Sequence, residues 1–147
     1  MGDVSKKTTV DEWFPELYRQ RVRSQRTRRC VIDVAAKLND PQIQHTLLGI
    51  ELKVGRKRFS CPDLPTARYI RVFAKIGCKE FAIPYNITKI SEIADELESS
   101  LERVLLLTER DPSKTNKTLR LIRSEIASMG SGDDVPVFTK TVKGKRG

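Results

Sequence analysis

Residues 50–61 read IELKVGRKRFSC, and this stretch decides the fold because its pattern is typical of a β-hairpin. Every second residue from Ile50 to Val54 is apolar, which is the period of a strand with one buried face. Gly55 and Arg56 then supply a two-residue turn with glycine first, as tight hairpins prefer. The sequence therefore predicts two antiparallel strands joined at this turn.

The turn also fixes which residues lie opposite one another across the hairpin. On the face that we expect to meet the core, the opposed pairs are Val54 with Lys57, Leu52 with Phe59, and Ile50 with Cys61. On the other face, Lys53 lies opposite Arg58, and Arg56 lies at the tip. Like charges in opposed positions are mildly destabilising unless an anion binds between them.

Further elements follow the hairpin. A helix is predicted over 66–76, ending at Gly77, and residues 79–85 form a strand that we expect to join the hairpin as its third strand. The strongest helical period runs over 87–109, where apolar residues recur every three or four positions. A second amphipathic helix is predicted over 115–129.

The residues before the hairpin favour helices. Thr9 and Glu12 have the spacing of a capping box, so a helix is predicted to begin there. It continues up to Leu38, either as one long helix with a polar middle or as two helices. Residues 39–41, NDP, are typical of a helix stop followed by a new start, and they predict a short helix over 41–48.

These elements predict a single α+β domain over residues 9–129. In this domain a small antiparallel three-stranded sheet packs against several helices, and both the N- and C-terminal portions are helix-rich. A chain of 147 residues with 38% apolar residues suffices for one modest core. We expect residues 1–8 to be a flexible N-terminus and residues 130–147 to be a linker with a basic C-terminal tail.

The net charge of +9 is concentrated in two segments. Residues 17–32 hold six arginines and no acidic residue, and residues 53–79 carry eight cationic residues against a single aspartate. Residues 88–111 reverse the sign, with seven acidic residues against three basic ones. A charge distribution this uneven focuses positive potential on part of the surface and attracts anions.

The arginine-rich segment predicts a non-enzymatic protein that binds nucleic acid through its phosphates, because guanidinium groups stay charged and match phosphate in shape. DNA, RNA, an acidic protein and an anionic membrane surface are all compatible with this charge. Pairing of the segment with the acidic residues of 92–111 is the alternative. The aromatic residues Trp13, Phe14 and Tyr18 favour core packing over base stacking. The predicted contacts are Arg19, Arg21, Arg23, Arg26, Arg28 and Arg29, with an auxiliary set of Lys53, Arg56, Arg58, Arg68, Arg71 and Lys75.

Two other functions are weighed against this one. The amphipathic C-terminal helices suit a protein–protein interaction or a regulatory adaptor, and the helix over 88–110 suits a protein partner or a homodimer. Residues 51–53, ELK, have the E-x-K spacing of metal-dependent nucleases, but no aspartate on a neighbouring strand accompanies them. His45 and the three cysteines lack the paired spacing of zinc sites, so we predict no metal, cofactor or catalytic residue.

The sequence also favours a cytoplasmic protein. Cys30, Cys61 and Cys78 are odd in number and widely spaced, which is typical of reduced thiols. The N-terminal residues lack the apolar core of a secretion signal. The longest apolar run, 104–107, is far shorter than the roughly 18 residues of a transmembrane helix, so we predict no transmembrane segment.

Overall fold

A computed structural model describes residues 13–131 and the backbone of residues 133–137. In chain order the elements are α1 (Phe14–Leu17), a π-helical turn (Tyr18–Val22), β1 (Thr27–Val31), β2 (Gln42–Thr46), β3 (Gly49–Val54), β4 (Lys57–Cys61), α2 (Leu64–Ile76), β5 (Glu80–Pro84), α3 (Ile87–Thr108), α4 (Pro112–Ser128) and β6 (Asp133–Val137). The strands form two sheets, and the predicted α+β class with its small antiparallel three-stranded sheet is confirmed.

The predicted hairpin is present with the predicted register. Strands β3 and β4 pair antiparallel, with Leu52 opposite Phe59 and Lys53 opposite Arg58. Leu52 and Phe59 are buried, and α2 packs against this sheet. The alternation of apolar and polar residues therefore sufficed to fix the two faces of the hairpin.

The third strand of this sheet is β2, so the helix predicted over 41–48 is wrong. β2 pairs antiparallel with β3, and Ile43 lies opposite Leu52. Ile43 is half-buried, whereas the other four side chains of β2 are exposed. The strand is held mainly by backbone hydrogen bonds to β3, a long-range contact that capping residues in the sequence do not reveal.

The strand predicted over 79–85 exists as β5, but it does not join the hairpin. It pairs antiparallel with β1, where Cys30 lies opposite Phe81. Strand β6 pairs parallel with the other side of β1, which gives the order β5-β1-β6. Residues 81–83 are all buried, so β5 requires a neighbouring strand that is also buried. β1 meets this requirement because Cys30 is buried, as is Ile32 directly after the strand.

The helix predicted through the arginine-rich segment is wrong beyond Val22. The π-helical turn ends there, and β1 begins at Thr27. Burial of Cys30 and Ile32 alternates with exposed neighbours, which is the period of a strand that the arginines hide in the sequence. The capping box at residues 9–12 lies outside the described residues.

The helices after the hairpin agree with the prediction and begin at side-chain caps. Asp63, Asn86 and Asp111 each accept a hydrogen bond from a backbone N–H in the first turn of α2, α3 and α4 respectively. Helix α2 ends at Gly77, whose φ of 88° lies in the left-handed region. A Cβ atom there would lie 2.5 Å from the backbone of Lys37, so the close approach also requires glycine.

Phe73 of α2 lies at the centre of an aromatic core. Its ring stacks on Phe81 with centroids 4.2 Å apart and meets Phe14 and Tyr18 edge-on. The Tyr18 hydroxyl accepts a hydrogen bond from the backbone of β5 at 2.8 Å and donates one to the Gly130 carbonyl at 3.1 Å. Burial raises the pKa of Tyr18 to about 12. Core packing of Phe14 and Tyr18 is therefore confirmed.

The ends of the chain are described in part. Strand β6 replaces residues 133–137 of the linker and tail predicted over 130–147, because its backbone pairs with β1. The flexible N-terminus predicted for 1–8 and residues 138–147 of the predicted tail lie outside the described residues. Among the helices that the structure describes, none is both long and apolar enough to cross a membrane.

Candidate nucleic-acid interface

Two arginines of the N-terminal segment meet carboxylates of their own chain. Arg21 on the π-helical turn donates to Glu96 of α3 at 2.7 Å and approaches Glu92 at 3.5 Å. Arg19 pairs with Glu16 one turn earlier, and its hydrogen bond lowers the pKa of Glu16. For Arg21, the alternative of pairing with the acidic helix is the arrangement observed.

Two more arginines of the segment hold strand β1 in place. Arg23 donates to the Thr27 hydroxyl at 2.8 Å and to the Met129 carbonyl at 3.2 Å, so it ties the start of β1 to the end of α4. Arg29 lies 4.0 Å from Glu80 on the neighbouring strand β5. Both side chains are half-buried. Arg23 forms hydrogen bonds within the fold, whereas Arg29 has this long ion pair and a buried Nε without a hydrogen-bond partner within residues 13–131.

Two of the auxiliary contacts predicted on α2, Arg68 and Arg71, face the acidic side of α3. Glu98 accepts a 2.8 Å hydrogen bond from Arg68 and another of the same length from Arg71. Arg68 also donates to Asp95, and these bonds to Asp95 and Glu98 raise the pKa of Arg68. Lys75 lines a cavity of about 210 Å³ beside Glu98. Arg68 and Arg71 thus help to hold two helices together.

Arg26 and Arg28 differ from these arginines because both lie over one aromatic ring. The guanidinium carbon of each is 4.8 Å from the ring centroid of Tyr85, within the range of a cation–π interaction. The Tyr85 backbone N–H donates to the Arg26 carbonyl at 3.2 Å, which fixes the tyrosine beside the start of β1. We refer to Arg26, Arg28 and Tyr85 as the guanidinium–tyrosine cluster.

The guanidinium–tyrosine cluster is accessible, and no carboxylate of residues 13–131 compensates its charge. Arg26 is exposed, and Arg28 and Tyr85 are half-buried. Within residues 13–131, neither guanidinium forms an ion pair with a carboxylate, and the buried Nε of Arg28 has no hydrogen-bond partner. Two cations held against one ring repel each other, so this site favours an external anion.

A second basic surface lies on the hairpin, on the other sheet. Lys53 lies opposite Arg58, and Gln42 of the edge strand lies opposite Lys53, so the exposed face carries a row of three donor side chains. Arg56 is exposed at the tip. Arg58 is 3.7 Å from Glu51, whose side chain is only 9% exposed. We refer to Lys53, Arg56 and Arg58 as the hairpin basic face.

Neither Glu51 nor the cysteines have the neighbours of a metal site in the part of the chain described. No group of three or more His, Cys, Asp or Glu side chains is placed there to hold a metal ion. Burial raises the pKa of Cys61 and of Cys78 to about 12, so both are protonated thiols near neutral pH. His45 is exposed on β2. The nuclease and zinc hypotheses gain no support from this geometry.

The structure distributes the twelve predicted contact residues over different environments, and it adds one residue that sequence analysis missed. Tyr85 directly follows β5, and nothing in its local sequence indicates that two arginines almost sixty positions earlier contact it. That contact arises from the antiparallel pairing of β1 with β5, in which Thr27 lies opposite Pro84. The signal that the sequence offered was the position of this aromatic residue between β5 and Asn86, the N-cap of α3.

The structure therefore offers two candidate sites, one on each sheet. Their candidate functional residues are those of the guanidinium–tyrosine cluster and of the hairpin basic face. Comparison with protein families, with curated proteins and with solved structures finds no match to this chain.

Proposed function

We propose that the protein binds single-stranded nucleic acid without chemical change, and that the guanidinium–tyrosine cluster is the primary contact. The observation that carries this proposal is the placement of Arg26 and Arg28, each 4.8 Å from the centroid of the Tyr85 ring, with no carboxylate paired to either within residues 13–131. An aromatic ring flanked by cations is a common arrangement in proteins that bind single strands.

The chemistry of the cluster suits a phosphate and a base together. Each guanidinium group presents a planar fork of N–H donors that matches two phosphate oxygens. The ring of Tyr85 holds both guanidinium groups over it, and a base that takes the place of one of them on the ring gains stacking of about 1–3 kcal/mol. Because stacking and phosphate contacts are available to every nucleotide, we expect binding that tolerates many sequences.

The charges elsewhere on the protein favour one path for the bound nucleic acid. The hairpin basic face supplies a second site for phosphates, with Lys53 and Arg58 side by side. The acidic residues of 88–111 would repel a polyanion, and several of them already bond to arginines. We expect the strand to pass over the sheets and to avoid the outer face of α3.

The test is fluorescence anisotropy of labelled single- and double-stranded DNA and RNA across a salt series, using the full chain freed of bound nucleic acid. The variant R26Q/R28Q should lower affinity for single strands by about tenfold or more. It should also reduce the slope of log affinity against log salt by about 1.4, since each phosphate contact to a single strand contributes about 0.7.

The matched control is R19Q/R21Q, which removes the same charge from the same segment. Arg19 and Arg21 already pair with carboxylates, so this variant should bind with nearly the wild-type salt slope. Equal losses in the two variants would show a general charge effect and contradict a specific cluster. Cleavage of the nucleic acid in Mg²⁺, checked on a gel, would contradict the non-enzymatic proposal. It would support instead the nuclease hypothesis based on Glu51.

A further inference from the structure

The C-terminal half of α3 exposes two adjacent leucines. Leu106 is 67% exposed and Leu107 is 73% exposed, although both lie inside a regular helix. Leu106 borders a cavity of about 800 Å³ between α3, the start of α4 and Leu38. Apolar residues exposed together on a helix mark a surface that another molecule covers.

The sequence around Leu106 has a symmetry that points to the occupant. Residues 102–110 read ERVLLLTER, with a Glu-Arg pair at each end and Leu106 at the centre. Helix α3 ends at Thr108, and Glu109 and Arg110 form the turn that follows it. If a second copy of this segment crosses antiparallel on a two-fold axis at Leu106, residue 102 meets residue 110 and residue 103 meets residue 109. Each meeting then joins a glutamate to an arginine, and Leu106 meets its own symmetry mate.

We propose that the protein forms a symmetric homodimer through α3, with the two helices antiparallel and the two-fold axis at Leu106. Such an interface is isologous, so one patch must complement itself in shape and charge. The 102–110 segment meets the charge requirement at both ends. Glu102, Arg103, Glu109 and Arg110 are all exposed around the leucines, as the rim of an interface requires.

Other occupants fit this surface less well. A nucleic acid would meet the acidic residues of α3 and would leave the leucines without apolar partners. A partner with charge of one sign would attract either the glutamates or the arginines and repel the others. A second copy of the same segment attracts both, because it presents the same residues in the opposite direction.

The test is sedimentation equilibrium of the full chain, free of nucleic acid, at physiological salt. Concentrations from about 0.1 to 100 μM cover the range in which an interface of modest size dissociates. The variant L106E places a charge on the axis twice and should raise the dimer dissociation constant by about a hundredfold or more. Leu121 of α4 is 51% exposed and does not border this cavity, so L121E is the matched control and should leave the constant within about threefold.

Charge reversal tests the direction of the helices. E102R and R110E should each raise the dissociation constant by about tenfold, because each places like charges together at both ends. The double variant E102R/R110E restores opposite charges and should return the constant to within about threefold of wild type. Circular dichroism checks that every variant keeps its helices.

Three results would overturn the proposal. The first is a wild-type protein that stays monomeric at every concentration. The second is a dimer that survives L106E, since the axis would then lie elsewhere. The third is a double variant E102R/R110E that dissociates as readily as the single variants, because the antiparallel register would then be wrong. None of these results depends on nucleic-acid binding.

Discussion

Arginines close together in this chain have opposite relations to their surroundings. Arg21 donates to Glu96 at 2.7 Å, and Arg68 and Arg71 each donate to Glu98 at 2.8 Å, so these three join α3 to its neighbours. Arg26 and Arg28 instead lie over Tyr85 and form no ion pair within residues 13–131. The first group compensates the acidic helix, and the second leaves positive charge at the surface.

The number of arginines in a segment therefore does not tell how many of them are available to bind an anion. What separates the two groups is the element that packs beside them: the first group faces the acidic side of α3, whereas the second lies along β1 and β5 next to an aromatic ring. The first group should therefore affect folding stability, and the second should affect binding. Each of the following predictions tests that separation.

The largest effect is expected at Tyr85. Y85L removes the aromatic surface and should weaken binding of single strands by about tenfold or more, in line with a stacking contribution of about 1–3 kcal/mol. Y85F keeps the ring and should bind within about twofold of wild type. Anisotropy titrations compare the two variants, and urea unfolding should show little change in either. Equal binding by Y85L and Y85F would contradict a stacking role.

A smaller effect, on stability alone, is expected at Glu98. E98Q removes the carboxylate that Arg68 and Arg71 share and leaves Arg68 paired with Asp95 of α3, and it should lower the free energy of unfolding by about 1–2 kcal/mol. The matched control is E92Q on the same helix, because Glu92 is 67% exposed and its only ion pair within residues 13–131 is with Arg21, at 3.5 Å. E92Q should cost less than about 0.5 kcal/mol in urea unfolding. A loss of nucleic-acid affinity in E98Q would contradict the separation of the two groups.

The smallest effect is expected at the exposed pair of Glu16 and Arg19. The hydrogen bond from Arg19 holds the pKa of Glu16 below its usual value of 4.5. Its contribution to stability is therefore present above that value and is lost as pH falls through the lowered pKa. E16Q should be slightly less stable than wild type near neutral pH, and the difference should disappear in acid.

The control for this pH dependence is R26Q/R28Q. The cluster residues have no carboxylate paired to them within residues 13–131, so the difference in stability from wild type should not change over the same acid range. Urea unfolding at neutral and acidic pH measures both variants. A pH-dependent difference in R26Q/R28Q would show that a carboxylate compensates the cluster.

Elements that depend on local pattern followed from the sequence. The hairpin register was predictable because residues 50–54 alternate strictly and the turn has two residues. Helices α2, α3 and α4 were predictable because apolar residues recur with the helical period and Asp63, Asn86 and Asp111 cap them.

Elements that depend on distant partners did not follow. β2 has one apolar side chain that is partly buried, Ile43, so its strand state comes from β3 and not from its own pattern. β1 contains Arg28 and Arg29. They obscure the alternation of the buried Cys30 and Ile32 with the exposed Val31 between them. The guanidinium–tyrosine cluster was unpredictable for the same reason, because it exists only after β1 pairs with β5.

The strand order β5-β1-β6 also determines when β1 can pair during translation. β1 lies near the beginning of the chain, one of its partners lies past the middle, and the other begins at Asp133. During translation both edges of β1 stay unpaired until those segments leave the ribosome, since chains are made from the N-terminus. Contacts between such distant segments also slow folding. The nascent chain should thus depend on chaperones until β5 and β6 close the sheet around β1.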